Sequence, residues 1–301
     1  MRIRKAALFI TLPLLIILSC RKEDPLKVDD IPGLGGDTWV KGPIDQWLYD
    51  TLTVPFNIAT KYKWDQFELE VNKTIVPPKE EKIIPVMRTV KKMWIDPYIA
   101  QAGELFFKKY SPKFFVLAGS ASWNLDGSIT LGTAEGGRKV VLYLLNDFLN
   151  KGMPGYQLKD SSVLKEMAHV IHHEFTHILD QTIRRQIEFD KVTAGFYTSD
   201  WINNSDATAR NDGFVTAYAL SQPGEDFAEM VSMMLIEGKS GFDNIVNGIT
   251  GTSVRGTTAA EAKAKLRQKE TLVVSYFRDS WGIDFYSLQT RVRTAIVNEI
   301  Y

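Results

Sequence analysis

All four histidines of this 301-residue chain lie in one short segment, HVIHHEFTHILDQ, which begins at His169. Within that segment the pattern H-E-x-x-H places His173 and His177 four residues apart. In an α-helix, side chains at positions i and i+4 lie one above the other on the same face. The segment also carries apolar residues at helical spacing, so it predicts an amphipathic helix whose two histidines share a face.

Two imidazoles on one helical face can bind a single metal ion, and zinc is the usual one. Glu174 follows His173 directly and can take a proton from a water at the same metal. An accidental match is the alternative, because residue frequencies alone produce H-E-x-x-H in some chains of this length. Its position on an amphipathic helix favours the metal site.

The other two histidines have different expected roles. His169 continues the stripe one turn before His173, but a third ligand on the same straight helix would lie too far along the axis. We therefore expect His169 to support a ligand or to pack, although an approach to the metal stays open. His172 points away from the stripe, and we expect it to lie in the core or at its boundary.

A catalytic zinc site usually has three protein ligands, so a third ligand must come from elsewhere in the chain. The extended pattern H-E-x-x-H-x-x-G-x-x-H is excluded, because Asp180 and Ile183 occupy the positions of its glycine and third histidine. Asp180 could either orient a ligand or cap the end of the helix. The best candidates are Glu225 and Glu229, which lie four residues apart on a later predicted helix.

Those two glutamates admit two interpretations. One of them can bind the metal while the other braces a ligand histidine, which completes a site of two histidines and one glutamate. Alternatively, Glu225 and the adjacent Asp226 are acids that complement the positive N-terminus of a helix.

The segments HEFTHILDQ and AYALSQPGEDFAE resemble the catalytic domain of the gluzincin metallopeptidases, anthrax lethal factor among them. The resemblance covers about residues 160–236, and it implies a zincin-like domain and a Zn²⁺ cofactor. It implies a role for each of six residues: zinc ligands at His173, His177 and Glu225, a general base at Glu174, a supporting carboxylate at Glu229 and a transition-state tyrosine at Tyr218.

The N-terminus has the pattern of an exported lipoprotein. Residues 1–19 combine the basic MRIRK with a short apolar run, which is typical of a signal peptide. The lone cysteine of the chain, Cys20, ends the stretch ILSC, which resembles a bacterial lipobox and implies lipid on Cys20. The alternative is an apolar N-terminus that ends in Ser-Cys by chance. Residues 20–40 are rich in charge, proline and glycine, and they predict a flexible tether.

The acidic KED that follows Cys20 is similar to the surface-export signal of Bacteroidetes lipoproteins. The chain also resembles a family of Bacteroidetes lipoproteins described as zinc metallohydrolases associated with outer-membrane nutrient import. These resemblances imply a lipid-anchored protein of the outer membrane, exposed on the cell surface, and association with a nutrient-import complex. The formal net charge of zero offers no basic footprint for nucleic acid.

The sequence predicts an α+β fold with a small antiparallel sheet before the active-site helix and a helical C-terminal part. The catalytic domain is expected to span residues 41–301, with its core at 113–240 and the helical part at 241–301. Three strand-like runs separated by the turn signals LDG and EGG predict an antiparallel meander over about 113–147.

Several helices are predicted around this meander. Apolar residues at three-four spacing between Ile83 and Trp94 predict one buried helix. The histidine helix should begin near Asp160, after which Ser161 and Ser162 can also cap, and end near Arg185. A later helix should start at Pro223 and stop at Gly238, and the last 45 residues should form two more.

These observations predict a zinc-dependent peptide-bond hydrolase that acts on a peptide or protein substrate. Glu174 would act as general base, Tyr218 would donate to the oxyanion, and an edge strand of the meander would hold an extended peptide. The alternative is a catalytically weak or inactive zinc-binding accessory component of a nutrient-import system. Intact Glu174 and Tyr218 argue against it, because a protein that only binds needs neither.

Replacement of Cys20 by alanine should release the protein from membranes. Two or more acyl chains at that residue provide the stable anchor, whereas a chain without lipid has none. Fractionation of cells that express the wild type and Cys20→Ala measures this directly. A Cys20→Ala protein that still requires detergent for extraction would point to an uncleaved signal anchor instead.

Overall fold

The computed structural model describes residues 39–65, 67–69, 72–123, 129, 130, 132–135 and 139–301. The predicted signal peptide and all but the end of the predicted tether lie outside these residues. Residues Val40–Tyr301 form one unit, and it combines helices with a small sheet, which confirms the α+β class. Among the helices in the described ranges, none is both long enough and apolar enough to cross a bilayer.

The N-terminal part of the unit is mostly helical. Its elements are α1 (Pro43–Leu48), a π-helical turn (Tyr49–Thr53), α2 (Val54–Phe56), strand β1 (Ala59–Lys61), α3 (Glu80–Val90), a second π-helical turn (Lys91–Ile95), α4 (Asp96–Ala102) and α5 (Glu104–Tyr110). The apolar stripe from Ile83 to Trp94 is buried along its whole length, which confirms the helix predicted there. This helical run forms one wall of the core.

The strands form two small sheets. They are β1, β2 (Phe114–Leu117), β3 (Ser122–Trp123), β4 (Ile129–Thr130), β5 (Gly132–Glu135) and β6 (Lys139–Leu142). The larger sheet has the order β1-β2-β6-β5, in which β1, β2 and β6 run parallel and β5 runs antiparallel to β6. The smaller sheet is the antiparallel pair β3-β4.

The prediction of an antiparallel meander over 113–147 was therefore wrong. The strand-like runs are strands, and β5 and β6 do pair antiparallel, but β2 pairs with β6 in parallel. The reason is that β2 and β6 are buried on both faces: Phe115 contributes to the main core and Val116 to a second cluster on the opposite side. Strands that are buried on both faces read as continuous apolar runs, and they occur mainly in parallel sheets.

Helices make up the rest of the chain. They are α6 (Ser161–Thr182), α7 (Ile187–Val192), α8 (Asp206–Arg210), α9 (Pro223–Asn247), α10 (Ala259–Trp281) and α11 (Phe285–Ile300). Short 3₁₀ turns stand at Leu145–Asp147, Leu158–Asp160, Trp201–Asn203 and Tyr218–Leu220. The two C-terminal helices confirm the prediction for the last 45 residues. The segment 189–213, predicted as loop, instead contains the end of α7, one 3₁₀ turn and α8.

Two predicted helix ends differ from the observed ones. The histidine helix α6 ends at Thr182, three residues before the predicted end at Arg185. Helix α9 does break at Gly238, whose φ of 68° and ψ of 179° are non-helical, but a second helical segment then continues to Asn247. This conformation is almost restricted to glycine, because it has no Cβ. Gly238 thus interrupts the helix, as predicted, but the prediction that the helix ends there was wrong.

An aromatic cluster holds α6 in place. The buried ring of Phe175 lies 5.4 Å from the ring of Trp94 and 4.9 Å from that of Tyr98, both in edge-to-face geometry. Phe175 is two residues from His173, about 200° around the helix at 100° per residue, so the two side chains lie on opposite faces. Packing of Phe175 into the core therefore turns the histidine face toward α9, which packs beside α6.

Candidate metal centre

Helices α6 and α9 bring three potential metal ligands together. His173 and His177 come from α6, and Glu225 comes from the first turn of α9. The two Nε2 atoms are 3.0 Å apart, and Oε2 of Glu225 lies 2.9 Å from Nε2 of His173 and 3.1 Å from Nε2 of His177. The three atoms form a nearly equilateral triangle, with Glu225 and His173 largely withdrawn from solvent.

The chemistry of these three atoms fits a bound cation. A carboxylate oxygen and two unprotonated imidazole nitrogens all present lone pairs, and their approach to about 3 Å is repulsive unless a proton or a metal ion lies between them. Donor atoms around tetrahedral zinc with bonds of about 2.0 Å are roughly 3.3 Å apart, so the triangle is only slightly contracted. The residues therefore suit zinc by atom type, number and spacing.

The carboxylates of Glu225 and Glu229 also favour a positive charge at the triangle. Burial lowers the pKa of His173, but its hydrogen bonds to Glu225 and Glu229 outweigh that effect and raise the pKa to about 10. Burial raises the pKa of Glu225, whereas its hydrogen bonds with His173 and His177 bring the pKa below its ordinary value. Two carboxylates thus stabilise a cation at this point of the structure.

Glu229 lies behind the triangle, one turn after Glu225 on α9. Its Oε1 is 2.7 Å from Nδ1 of His173 and 2.8 Å from Nε2 of His169, and its Oε2 accepts a hydrogen bond of 2.6 Å from the Thr216 hydroxyl. An Nδ1 proton donated to Glu229 leaves Nε2 of His173 as the free lone pair, which is directed at Glu225. Glu229 thereby sets the tautomer and the ring orientation of His173.

His169 lies beside Glu229 and away from the three-atom triangle. Its Nδ1 is 3.0 Å from the hydroxyl of Ser232 on α9, which donates to the His169 carbonyl at 2.8 Å. His169, His173 and Glu229 are also close enough together to hold a metal. In that group, however, both nitrogens lie at hydrogen-bond distance from one oxygen of Glu229, and Thr216 donates to its other oxygen, so we assign the group as a hydrogen-bond network.

His172 is fully buried, as predicted for a core residue. Its ring lies 5.8 Å from the ring of Tyr98. Burial lowers the pKa of His172 to about 3, so its imidazole is neutral at physiological pH.

Glu174 and Tyr218 border the same triangle. Burial raises the pKa of Glu174, and the charge of Glu225 adds to this effect, while His173 and His177 oppose it. The ring of Tyr218 lies 5.9 Å from that of His173. Burial and the Glu225 carboxylate, which interacts with the Tyr218 hydroxyl, both raise the pKa of Tyr218, so the phenol keeps its proton.

Asp180 has no part in this arrangement. It is buried, and its Oδ1 accepts a 2.8 Å hydrogen bond from the backbone N–H of Arg185, while its Oδ2 pairs with the guanidinium groups of Arg184 and Arg185. Of the two roles open to it, Asp180 fills the one at the end of the helix, where it fixes the turn that leaves α6.

Two residues near the triangle were not anticipated from the sequence. Thr216 is the third partner of Glu229, and Trp201 packs edge-to-face on Tyr218 with ring centres 4.9 Å apart. Neither lies in a recognisable motif. Their positions depend on how the long segment between α7 and α9 packs against α6 and α9, so the sequence carries no local signal for them.

Comparisons with known proteins identify a zinc-binding family. A family model described as "Putative zinc-binding metallo-peptidase" matches residues 37–286. A solved structure with the description "putative zinc-binding metallo-peptidase", from Bacteroides caccae ATCC 43185, is 33% identical and has a TM-score of 0.67; the match covers 86% of this chain and 95% of that one. The search of curated proteins found no match. The chain therefore belongs to the zinc-binding metallo-peptidase family that this model describes.

Proposed function

We propose that this protein is a zinc-dependent peptide-bond hydrolase of the gluzincin type. The observation that carries the proposal is the triangle of ligand atoms from His173, His177 and Glu225, with edges of 2.9 to 3.1 Å. The next residue after the first ligand is Glu174, whose carboxylate has no hydrogen-bond or ion-pair partner among the residues that the structure describes. Two histidines and one glutamate form the ligand set of several zinc peptidases.

Zinc held by the three ligands would supply a Lewis acid that polarises a substrate carbonyl and lowers the pKa of water. Glu174 acts as the general base: it accepts a proton from the attacking water and later passes that proton to the leaving amine. Its raised pKa suits the first of these steps, because a carboxylate whose pKa is raised toward neutrality accepts a proton from water more readily. Within the described chain, no hydrogen bond or ion pair occupies the Glu174 carboxylate.

Tyr218 donates a hydrogen bond to the oxygen that gains negative charge as the carbonyl is attacked. Its side chain is 38% exposed, so it borders the space that a substrate would enter. The ring packs against the rings of both His173 and Trp201. Because the phenol stays protonated, it can act as a donor throughout the reaction.

The edge strand β5 offers a place for an extended peptide. It runs antiparallel to β6 and packs beside α6, and among the described strands none pairs with its outer edge. An open edge presents backbone N–H and C=O groups, to which a peptide can add as a further strand. We therefore propose that the substrate chain pairs with β5 and crosses the metal centre.

A zinc-binding accessory component of a nutrient-import system is the competing proposal. Such a protein requires the ligands and Glu229 but has no use for a base or an oxyanion donor. Incubation with a library of random peptides, with and without a chelator, distinguishes the two by mass spectrometry. The lipid anchor at Cys20, the surface location and association with an import complex stay predictions from the sequence.

The soluble chain that begins after Cys20 should bind about one zinc, and the two glutamates should differ in their effects on affinity. Glu225→Gln removes a ligand, whereas Glu229→Gln weakens the support of His173 and should cost roughly ten- to a hundred-fold in affinity. Competition with a chromophoric chelator measures both dissociation constants. A larger loss for Glu229→Gln than for Glu225→Gln would mean that their roles are exchanged, and a wild type without zinc would exclude the metal site.

Replacement of Glu174 by glutamine should abolish peptide hydrolysis and leave zinc binding intact. The amide is nearly isosteric with the carboxylate, but it cannot accept the proton from water. Zinc content and turnover should be measured on the same preparation, with Glu188→Gln as a matched control because Glu188 lies on the exposed surface of α7. Substantial turnover in the Glu174→Gln variant would require a different base.

Tyr218→Phe separates a catalytic hydroxyl from an aromatic ring that only packs. If the phenol donates to the oxyanion, kcat should fall by roughly a hundred- to a thousand-fold, while zinc content and KM stay close to those of the wild type. The ring contacts with His173 and Trp201 are retained in this variant, so folding should not change. Turnover at the wild-type rate with full zinc occupancy would remove Tyr218 from the mechanism.

A further inference from the structure

Lys269 of α10 is a fully buried lysine that pairs with Asp226, the residue after the candidate ligand Glu225. Its side chain is 0% exposed, and its Nζ lies 2.6 Å from Oδ2 of Asp226, which is also 0% exposed. The same ammonium group donates to the carbonyl of Gly213 at 3.0 Å. The rings of Phe214 and Phe189 lie 4.2 and 5.6 Å from Nζ, so apolar groups enclose the pair.

Asp226 connects several segments of the chain through one carboxylate. Besides Lys269, its Oδ2 accepts hydrogen bonds from the Tyr197 hydroxyl at 2.9 Å and from the Thr193 hydroxyl at 3.2 Å. These partners lie just beyond α7, so the carboxylate joins that segment to α9 and α10. Asp226 directly follows Glu225 in the first turn of α9. Whatever holds Asp226 therefore also holds the backbone that presents the third zinc ligand.

The hydrogen bond from Lys269 to Gly213 connects α10 to a second segment that borders the centre. Gly213 begins the segment that leads to Thr216, the partner of Glu229, and to Tyr218. It has a φ of +93°, and a Cβ at this position would lie 2.7 Å from the Lys265 side chain. Any other residue would be strained at this φ and would place its Cβ too close to Lys265. The close approach of α10 to this segment therefore depends on a glycine at position 213.

Stability alone is a poor explanation for such a pair. Removing two charges from water costs several kcal/mol per ion, and apolar residues of similar volume often stabilise a fold as well or better. The ion pair does supply directed bonds, which apolar contacts cannot. One ammonium group fixes the position of Asp226 relative to Gly213, and thus of Glu225 relative to the segment that carries Thr216 and Tyr218.

We propose that the buried pair Lys269–Asp226 is a positioning device. It fixes Glu225 relative to the segment that carries Tyr218, so that both are correctly placed at the metal. This inference rests on the proposed function, because it assigns Glu225 as a zinc ligand. Neither member of the pair touches the metal or the substrate, so both are positioning residues. The C-terminal helix α10 is then part of the catalytic unit.

The test is the double variant Lys269→Met/Asp226→Asn, which removes both charges and keeps side chains of similar size. Lys269→Met alone should fold poorly, because it leaves a buried carboxylate without its ion-pair partner. The double variant should unfold at a temperature near that of the wild type, yet bind zinc roughly ten- to a hundred-fold more weakly. Its kcat should fall at saturating zinc with little change in KM, since Tyr218 would no longer be held in place.

Glu299→Gln is the matched control. Glu299 is a buried carboxylate of α11 that bonds to Lys92, Thr89 and Asn150, outside the metal centre. This variant should lower the unfolding temperature and leave zinc affinity within about two-fold of the wild type. It therefore shows how much a general loss of stability changes zinc binding.

The outcomes are distinct. Wild-type zinc affinity and kcat in the double variant would overturn the positioning role while leaving the proposed function intact. A wild type that binds no zinc would refute the proposed function itself. If the double variant does not fold, Asp226→Asn alone provides the same readout, because Lys269 can lose its proton and remain buried as a neutral amine. Unchanged zinc affinity in that variant would also overturn the inference.

Discussion

The carboxylate of Glu229 is the interaction on which the candidate centre depends, because it joins the two long helices at the level of the ligands. It reaches His173 and His169 on α6 with one oxygen and Thr216 with the other. An imidazole has two nitrogens on opposite sides of one ring, so holding Nδ1 also decides where Nε2 points. Without that bond the His173 ring could rotate. Its Nε2 would then no longer be held about 3 Å from the ligand atoms of His177 and Glu225.

A polar network of this kind can exist only because apolar packing surrounds it. Burying an unpaired polar group costs a few kcal/mol, whereas a fully paired network costs far less. Here the opposite face of α6 meets an aromatic cluster around Phe175, and that packing holds the helix in place. The core sets the distance between α6 and α9, and the carboxylates then select the side-chain orientations within it.

The C-terminal helices contribute more than a scaffold. The break at Gly238 interrupts the hydrogen-bond ladder of α9, and α11 supplies replacements: Gln289 donates to the Met234 carbonyl and Arg293 to the Ile236 carbonyl, both at 2.6 Å. Helix α10 supplies Lys269, which forms an ion pair with Asp226 in the first turn of α9. The helix that carries Glu225 and Glu229 is thus held at both ends of its first segment by residues far along the chain.

The sequence by itself determined the elements that depend on local spacing. The i, i+4 repeat was sufficient to place His173 and His177 on one helical face and Glu225 and Glu229 on another, because helix geometry relates neighbours one turn apart. The strand-like runs were located because short apolar, β-branched stretches bounded by turn residues are also a local signal. Their pairing was predicted wrongly, because a run of buried apolar residues does not determine which strand pairs with it or whether the two strands run parallel or antiparallel.

Only the tertiary structure decided which groups meet across helices. The convergence of Glu225 on the two histidines, the contact of Thr216 with Glu229 and the pairing of Lys269 with Asp226 all join residues that are distant in sequence. Their distances follow from the packing of α6, α9 and α10 around a shared core, and no local pattern encodes that packing. The sequence thus determined which chemistry the chain can carry, and the packing of three helices decided where that chemistry is assembled.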